Sequence, residues 1–390
     1  MFATAPNLNH LWARLLIDEA VRCGVCCFVV SPGSRSTPLA WAVAEHPRAR
    51  AVVHFDERGC AFHALGWAKA TGRPAALICT SGSAVANYWP AVVEAAQSRL
   101  PLLLLTADRP PELVDVGANQ AIDQLKLFGD YVRWSAALSC PTTDIAPGYV
   151  LTTFDQACYR AVRMPAGPVH LNCPYREPLA PVEAGGPWAA YLAPVAEWAA
   201  GQAPYTRWAS RPAEACAEAV DEVVRTLTSA QRGWLVLGRL RGTEMGLAAE
   251  RLARALQWPV FADIASGLRG ESDPPFVPHF DRVLSCAAVQ ADCQPDVVLH
   301  IGGPLVSKHL LQSLGRVRPH LVQVTHHPTR QDPLHLGGLR IESNIPAFCH
   351  ALAKALPAAG AAHPDLERLR KASDAVRAAV ATHARGDGLS

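Results

Sequence analysis

The stretch VCCFVVSPGSRSTPLA at residues 25–40 decides the fold of the amino-terminal half. Residues 25–30 are apolar without interruption, which is typical of a strand covered on both faces in a parallel sheet. The polar segment SPGSRST follows, and Pro38 stands near the start of the next segment, where its fixed φ suits the first turn of a helix. The sequence therefore predicts a buried strand, a polar loop and a helix in succession.

Similar units lie on both sides of this stretch. Residues 8–21 carry apolar side chains at helical spacing, and Gly24 follows where a helix C-cap belongs. Four more strands are predicted in this half, alternating with helical segments such as residues 58–70: residues 51–55, 75–79, 102–106 and 167–174. This alternation predicts a doubly wound α/β domain with right-handed crossovers.

A second α/β pattern occupies the carboxy-terminal half. Its predicted strands are GWLVLG, WPVFADI, DVVLHIGG and HLVQVT, at residues 233–238, 258–264, 296–303 and 320–325. We therefore expect two doubly wound parallel-sheet domains, with a Pro-, Gly- and Ala-rich linker between them. The predicted boundaries are 1–180 for the first domain, 181–206 for the linker, 207–358 for the second domain and 359–390 for a connector helix and tail.

Composition excludes several classes of protein. Of the 390 residues, 50% are hydrophobic and 18% charged, which is typical of a compact globular chain. The net charge of +2 provides no field that would attract nucleic acid. Arg14, Asp18 and Glu19 interrupt the amino-terminal apolar stretch, so a signal peptide is not predicted, and no apolar run is long enough to insert into a membrane. We expect a cytoplasmic protein.

The cysteines and glycines do not form the motifs that they superficially suggest. Cys23, Cys26 and Cys27 imitate a CxxC motif, but no second pair supplies further zinc ligands, so we interpret them as structural, like the rest of the twelve scattered cysteines. SPGSRS has one glycine where a dinucleotide site needs three, and GGPLVSK lacks the spacing of a P-loop. The adjacent His326 and His327 are also interpreted as structural.

Polar side chains follow the first four predicted strands. In open parallel sheets, ligands bind beyond the carboxyl ends of the strands, so these groups are expected to converge on one crevice. Singly, each could be a helix cap or a solvated loop charge. They are Ser34 and Arg35, Asp56 and Glu57, Thr80, Ser81 and Ser83, and Asp108 and Arg109.

Four long motifs carry a resemblance to a known family. They are PGSRSTPLA at residues 32–40, HFDERGCAFHALGWAKATGRP at 54–74, TSGSAVANYWPAVVEA at 80–95 and LTADRPPELVDVGANQAIDQ at 105–124. The chain resembles the 2-succinyl-5-enolpyruvyl-6-hydroxy-3-cyclohexene-1-carboxylate (SEPHCHC) synthases, thiamine-diphosphate enzymes of menaquinone biosynthesis. The resemblance is dense over about the first 175 residues and continues more faintly through VSKHLL and TRQDP in the second domain.

The resemblance implies a function for both domains. The first would bind the pyrimidine ring of thiamine diphosphate, and the second would be the central domain. The implied reaction is decarboxylation of 2-oxoglutarate, followed by conjugate addition of the succinyl carbanion to isochorismate. A homodimer or homotetramer is implied as well.

The resemblance also implies roles for single residues. Glu57 would be the catalytic residue, bonding N1′ of the aminopyrimidine, while Thr80, Ser81, Gly82 and Ser83 would complete the cofactor-binding set. Substrate contacts are implied for Ser34, Arg35, Arg109, Gln120 and Lys308, with Asn119 supporting their loop. Two positions depart from the family pattern: Ser83 stands where relatives often have Thr, and His309 where some have Arg, so a permanent charge is replaced by a titrating group.

The carboxy terminus departs further. Relatives carry a third domain that binds the diphosphate and Mg²⁺ or Mn²⁺ through GDG followed by Asn, whereas only Leu389 and Ser390 follow the GDG at residues 386–388. We therefore expect the metal ligands to be missing and the chain alone to be inactive. Two alternatives remain: another thiamine-dependent 2-oxo-acid carboligase, or a noncatalytic remnant without the diphosphate domain.

Overall fold

The computed structural model describes residues 2–209, 216–357 and 363–386, with side chains described up to residue 383. It divides into two compact units, Met1–Ala209 and Ser210–Ser390. Each unit contains one parallel sheet with a hydrophobic cluster on either face. The expected class, two doubly wound parallel-sheet domains, is confirmed.

The first unit is built on a six-stranded sheet in the order β2-β1-β3-β4-β6-β5. The strands are β1 (Cys27–Val30), β2 (Arg50–Val53), β3 (Ala75–Cys79), β4 (Leu102–Asp108), β5 (Trp134–Ala137) and β6 (Pro168–Pro174). The helices are α1 (Leu8–Arg22), α2 (Thr37–Glu45), α3 (Glu57–Thr71), α4 (Ser83–Ala86), α5 (Trp89–Ser98), α6 (Gly148–Val162), α7 (Trp188–Leu192) and α8 (Ala196–Ala200).

Strand β1 shows why its apolar run is continuous. Phe28 and Val30 belong to the cluster that includes α1 and α6, whereas Cys27 and Val29 belong to the cluster under α3 and α5. Successive side chains of a strand point to opposite faces, so both sets must be apolar when both faces are covered. The outer strand β2, by contrast, is mostly exposed.

Residues 181–206, for which the sequence predicts a linker, differ from that expectation. They contain α7 and α8, and Trp188 and Trp198 are buried in the same cluster as α1. The Trp188 indole donates a hydrogen bond to Ala5 O at 2.9 Å. The segment therefore packs as part of the first unit. Burial of its large apolar side chains stabilises this packing even though the surrounding residues are mostly Pro, Gly and Ala. Helix α6 and strand β5 were also absent from the predicted pattern.

The second unit has a five-stranded sheet in the order β11-β10-β9-β7-β8. Its strands are β7 (Gly233–Leu237), β8 (Val260–Ala262), β9 (Val297–Ile301), β10 (His320–Thr325) and β11 (Leu339–Glu342). Its helices are α9 (Ala217–Ser229), α10 (Gly242–Leu256), α11 (Phe280–Val283), α12 (Ala287–Asp292), α13 (Lys308–Val317), α14 (Ile345–Ala355) and α15 (Leu366–Gly386). Helix α15 lies within residues 359–390, which were predicted as a connector helix and tail. The GDG at 386–388 lies outside the described residues from Asp387 onward.

None of the helices in the described ranges combines the length and the apolar character that crossing a bilayer would require.

Candidate active site

The register of the first sheet brings the ends of its strands together. Val30 of β1 pairs with Val53 of β2 on one side and with Ile78 of β3 on the other, and Ile78 pairs with Leu105 of β4. Because all these strands are parallel, the loops that follow them leave at the same edge of the sheet. The predicted site residues of the first unit lie in these loops or at the start of the helix that follows.

Ser81 is the centre of the contacts among these residues. The Arg109 guanidinium donates a hydrogen bond to the Ser81 hydroxyl, which in turn donates to the backbone oxygen of Gln120 at 3.1 Å. The Gln120 side-chain amide donates back to Ser81 O at 2.9 Å. The structure therefore brings together three predicted residues that come from two different loops.

The backbone around Gly82 is shaped for close approach. Gly82 has φ +82°, and a Cβ there would lie 2.8 Å from Gln120 Cγ. Gln120 itself has φ +59°, unusual for a residue with a side chain. On the other side, a Cβ at Gly33 would lie 2.4 Å from Thr80 Cβ. The two glycines thus let three loops pack tightly where the predicted cofactor contacts converge.

Two residues of this network were not predicted from the sequence. Gln124 is buried, accepts a hydrogen bond from Gly82 N at 2.8 Å and donates to Asn172 Oδ1 at 2.8 Å. Asn172 donates to Asp108 Oδ2 at 2.7 Å. A sequence signal exists for Asn172: like His170, it is a polar residue inside the mainly apolar strand β6, and buried polar groups are almost always hydrogen-bonded.

The site contains two neighbouring arginines, Arg35 and Arg109, whose guanidinium groups could bind an anion. Burial, and then the nearby charge of Arg35, lower the pKa of Arg109. Arg35 is buried, donates to Tyr175 O at 3.0 Å and lies 3.3 Å from the exposed carboxylate of Glu177. Its Nε is buried without a hydrogen-bond partner among the described residues. A carboxylate placed here would relieve the repulsion and accept this donor.

Asp108 lies beneath these arginines. Burial raises the pKa of its carboxyl group, opposed by hydrogen bonds from Asn172 and the backbone of Arg109. The Asp108 carboxylate accepts the latter bond at 2.7 Å. It therefore fixes the start of the loop that carries Arg109.

Glu57 is the first residue of α3, directly after the cap residue Asp56, whose side chain accepts from Arg58 N at 2.9 Å. The Glu57 carboxylate is half-buried and makes no hydrogen bond or ion pair within the described part of the chain. The side chain of the neighbouring Phe55 is 88% exposed. A carboxylate that is fixed by its helix but has no partner suits a ring nitrogen of a bound pyrimidine.

The other predicted residues of this unit have simpler surroundings. Ser34 is exposed and lines an open cavity of about 560 Å³ together with Thr37 and Trp41. Ser83, the first residue of α4, and Asn119 are exposed. A second cavity of about 390 Å³ lies beside Arg109 and is lined in part by Gln124 and Asn172.

Lys308 belongs to the second unit, where it is the first residue of α13 and is exposed. The preceding Ser307 caps this helix by accepting from Leu310 N at 3.2 Å, and its backbone N donates to Asp263 Oδ2 at 3.0 Å. His309 lies 3.9 Å from Asp281. The loop holding Lys308 is thus well anchored, whereas the ammonium group itself is solvated.

His327, interpreted as structural, is buried in the second unit. Its Nε2 lies 2.8 Å from the Gln331 amide, and its backbone oxygen accepts from the Thr325 hydroxyl at 2.8 Å. His326 packs edge-on against it, with ring centroids 5.0 Å apart. These contacts hold the turn after β10.

Comparisons with known proteins cover both units. Residues 12–127 match the N-terminal TPP-binding domain of thiamine pyrophosphate enzymes, and residues 189–387 match the middle domain of thiamine pyrophosphate enzymes. A solved structure of a candidate thiamin diphosphate-dependent enzyme from Mycobacterium smegmatis covers 90% of this chain and 64% of its own, with a TM-score of 0.63 and 18% identity. That similarity concerns the fold.

Curated relatives are more similar in sequence. A SEPHCHC synthase from Rubrobacter xylanophilus is 49% identical, and one from Salinibacter ruber is 46% identical. The matches cover 89% of this chain and 60% and 59% of those relatives. Protein PHYLLO of Arabidopsis thaliana is 40% identical over 89% of this chain and 21% of its own length. The chain therefore spans about 60% of the length of these bacterial relatives.

Proposed function

The chain belongs to the thiamine pyrophosphate enzymes, and from that premise we propose that it forms the pyrimidine-binding and central domains of a SEPHCHC synthase. The observation that carries the proposal is the joining of Ser81, Arg109 and Gln120 by three hydrogen bonds beside Arg35. Such a cluster suits substrates with several carboxylates, and both 2-oxoglutarate and isochorismate are dicarboxylates. The names of the bacterial relatives support the same assignment.

Thiamine diphosphate, when bound, supplies the carbanion chemistry by which a 2-oxo acid loses carbon dioxide and is joined to an acceptor. Glu57 would hold a proton at N1′ of the pyrimidine, for which it has a carboxylate without a competing partner. Thr80, Ser81, Gly82 and Ser83 would border the ring. Gly82 matters because its lack of a Cβ lets the Gln120 loop pack against this border.

The basic residues would orient the substrates. Arg35 and Arg109 present guanidinium groups that can bind carboxylates through two parallel hydrogen bonds, and Ser34 and Gln120 add neutral polar contacts. Lys308 would supply a further charge from the central domain. Because Arg109 is held by Ser81 and Arg35 by Tyr175 O, little side-chain freedom remains to be lost on binding.

Finer features of the proposal follow the family. Mg²⁺ or Mn²⁺ would be bound by residues in the part of the relatives that this chain does not span. The assembly would be a homodimer or homotetramer, and the protein would act in the cytoplasm. Isochorismate and 2-oxoglutarate would be its substrates.

A complementation assay tests the proposal. The chain is mixed with the remaining domain of the Rubrobacter xylanophilus relative, thiamine diphosphate and Mg²⁺, and consumption of both substrates is followed. We expect turnover that requires 2-oxoglutarate and isochorismate together. Turnover with pyruvate, indifferent to isochorismate, would instead identify another 2-oxo-acid carboligase, and failure of any complementing domain to restore turnover would contradict the proposal.

A further inference from the structure

A second group of chemically active side chains lies between α1 and α6, which pack against each other in the first unit. Helix α1 contributes Glu19 and its C-cap residue Cys23, four residues apart, and α6 contributes Asp155 and Cys158, three residues apart. Side chains at these spacings share one face of a helix. These four residues are called the α1–α6 cluster below.

The spacing of the atoms matches a small coordination sphere. Cys23 Sγ lies 3.4 Å from Asp155 Oδ1 and 3.9 Å from Glu19 Oε1, and the ligand atoms of these three residues all lie within 4.8 Å of one another. Around a tetrahedral zinc ion, bond lengths of about 2.3 Å to sulfur and 2.0 Å to oxygen separate the two donors by about 3.5 Å. Cys158 lies beside this group, and its thiol donates a weak hydrogen bond to Cys23 O at 3.8 Å.

The two carboxyl groups are buried without a cationic partner. Glu19 and Asp155 are almost fully inaccessible, and neither makes an ion pair within the described ranges of the chain. Arg22, on the same helix as Glu19, is paired with Asp18 at 2.5 Å. Two carboxylates cannot both be ionised in such a place unless a positive charge lies between them.

The carboxylates are also held in fixed orientations by donors outside the cluster. Glu19 accepts from the Trp198 indole at 2.5 Å and from Tyr205 N at 2.7 Å. Asp155 Oδ2 accepts from Thr206 N at 2.8 Å, which leaves Oδ1 directed at Cys23. Outer hydrogen bonds of this kind orient the ligands in metal sites.

We propose that the α1–α6 cluster binds one divalent cation of the zinc class, with the Cys23 thiolate and the Glu19 and Asp155 carboxylates as ligands. Because Cys23 is partly exposed, a cation can reach the cluster from solvent at its thiol, whereas the other ligands are buried. On binding, the proton of the Cys23 thiol passes to solvent and the ion neutralises the buried carboxylates. Cys27, which shares the CxxC-like stretch with Cys23, takes no part because it lies in β1. The site would tie α1 and α6 to the segment around Tyr205 and does not depend on the proposed catalytic function.

The test is a titration of the full, reduced chain, freed of metal by a chelator, with Cd²⁺ alone. Cadmium reports thiolate ligation through an ultraviolet charge-transfer band. We expect one Cd²⁺ per chain, displaceable by Zn²⁺, with the band lost in Cys23→Ser, which removes the thiolate ligand, and retained in Cys158→Ser. Asp155→Asn should weaken binding at least tenfold, as loss of a charged ligand does.

The exposed cysteines provide matched controls. Cys216→Ser and Cys286→Ser should leave the band and its stoichiometry unchanged. Circular dichroism identifies any variant that does not fold. If one of the ligand variants does not fold, Glu19→Gln, which changes a single non-hydrogen atom, is used in its place to test ligation. Absence of the band in the unmodified chain means that the carboxyl groups merely share a proton and overturns the proposal, as does a band that depends on Cys216 or Cys286.

Discussion

The side-chain oxygen of Gln124 accepts a hydrogen bond from the backbone N of Gly82 at 2.8 Å. This bond joins the loop after β4 to the start of α4, and the amide nitrogen of Gln124 extends the connection to Ala107 O and to Asn172. One buried amide thus holds the Gln120 loop against three strand ends. The placement of Arg109 and Gln120 depends on this amide as much as on their own contacts.

Replacing Gln124 with Met should therefore lower the free energy of unfolding by about 3 kcal/mol. The methionine keeps the volume but leaves buried polar groups, including Gly82 N, without partners. Urea denaturation followed by circular dichroism measures the change. Gln97→Met, at an exposed position of α5, should change it by less than about 0.5 kcal/mol. Equal effects of the two substitutions would contradict the role of Gln124.

Gly82→Ala should destabilise the chain and displace Gln120. The new Cβ would lie 2.8 Å from Gln120 Cγ, at a backbone φ of +82° that side chains rarely adopt. We expect a loss of about 2 kcal/mol or more in the free energy of unfolding, measured by thermal denaturation. Gly66→Ala, in an open position of α3, should instead stabilise by up to about 1 kcal/mol, because alanine favours helix. An unchanged free energy of unfolding in Gly82→Ala would contradict this prediction, because it would show that the loop with Gln120 can move away from residue 82 without cost.

Glu57→Gln should reduce turnover in the complemented enzyme by about 10²-fold or more while leaving stability unchanged. The amide preserves size but cannot hold the proton at the cofactor ring. Because Glu57 has no partner in the described part of the chain, its unfolding curve should shift by less than about 0.5 kcal/mol. Steady-state rates and melting curves give both quantities. Glu183→Gln, on an exposed segment, is the control and should retain full activity.

Acid should destabilise the first unit through His170. Burial lowers the pKa of this histidine to about 4, whereas an unfolded histidine titrates near 6.5. Between these values the unfolded chain binds the extra proton, so stability is full above pH 6.5 and falls as the pH drops toward 4, by about 3 kcal/mol in total.

The measurement is the free energy of unfolding from pH 8 to pH 4.5, compared between the chain and His170→Gln. The variant should lose stability at neutral pH, since the ring packs edge-on against Phe128 and bonds to Thr106, but its profile should be flatter. His63→Gln, exposed on α3, should leave the profile unchanged. Identical slopes for all three proteins would mean that other groups cause the acid sensitivity.

Much of the fold could be predicted from local patterns. The apolar runs of β1, β3 and β4 and the helical periodicity of α1 report burial directly, because a strand covered on both faces has no polar side. Helix α7 was missed because composition is averaged over a segment, whereas the two apolar side chains of Trp188 and Leu192 are what pack it into the core. Strand β2 was predicted as a strand, but the mainly apolar sequence AVVHF gave no indication that it would be exposed.

The candidate site, too, could be predicted only in part. The sequence by itself determined which residues stand at the ends of parallel strands, since strand order along the chain and polar side chains after apolar runs are local properties. Only the tertiary structure decided their partners. Ser81 and Arg109 are 28 positions apart, Gly82 and Gln124 are 42 apart, and Cys23 and Asp155 are 132 apart. Each residue's type decides how many hydrogen bonds it can make. Which partner it finds depends on the loops and helices that tertiary packing brings next to it, so contacts at such separations cannot be read from local sequence.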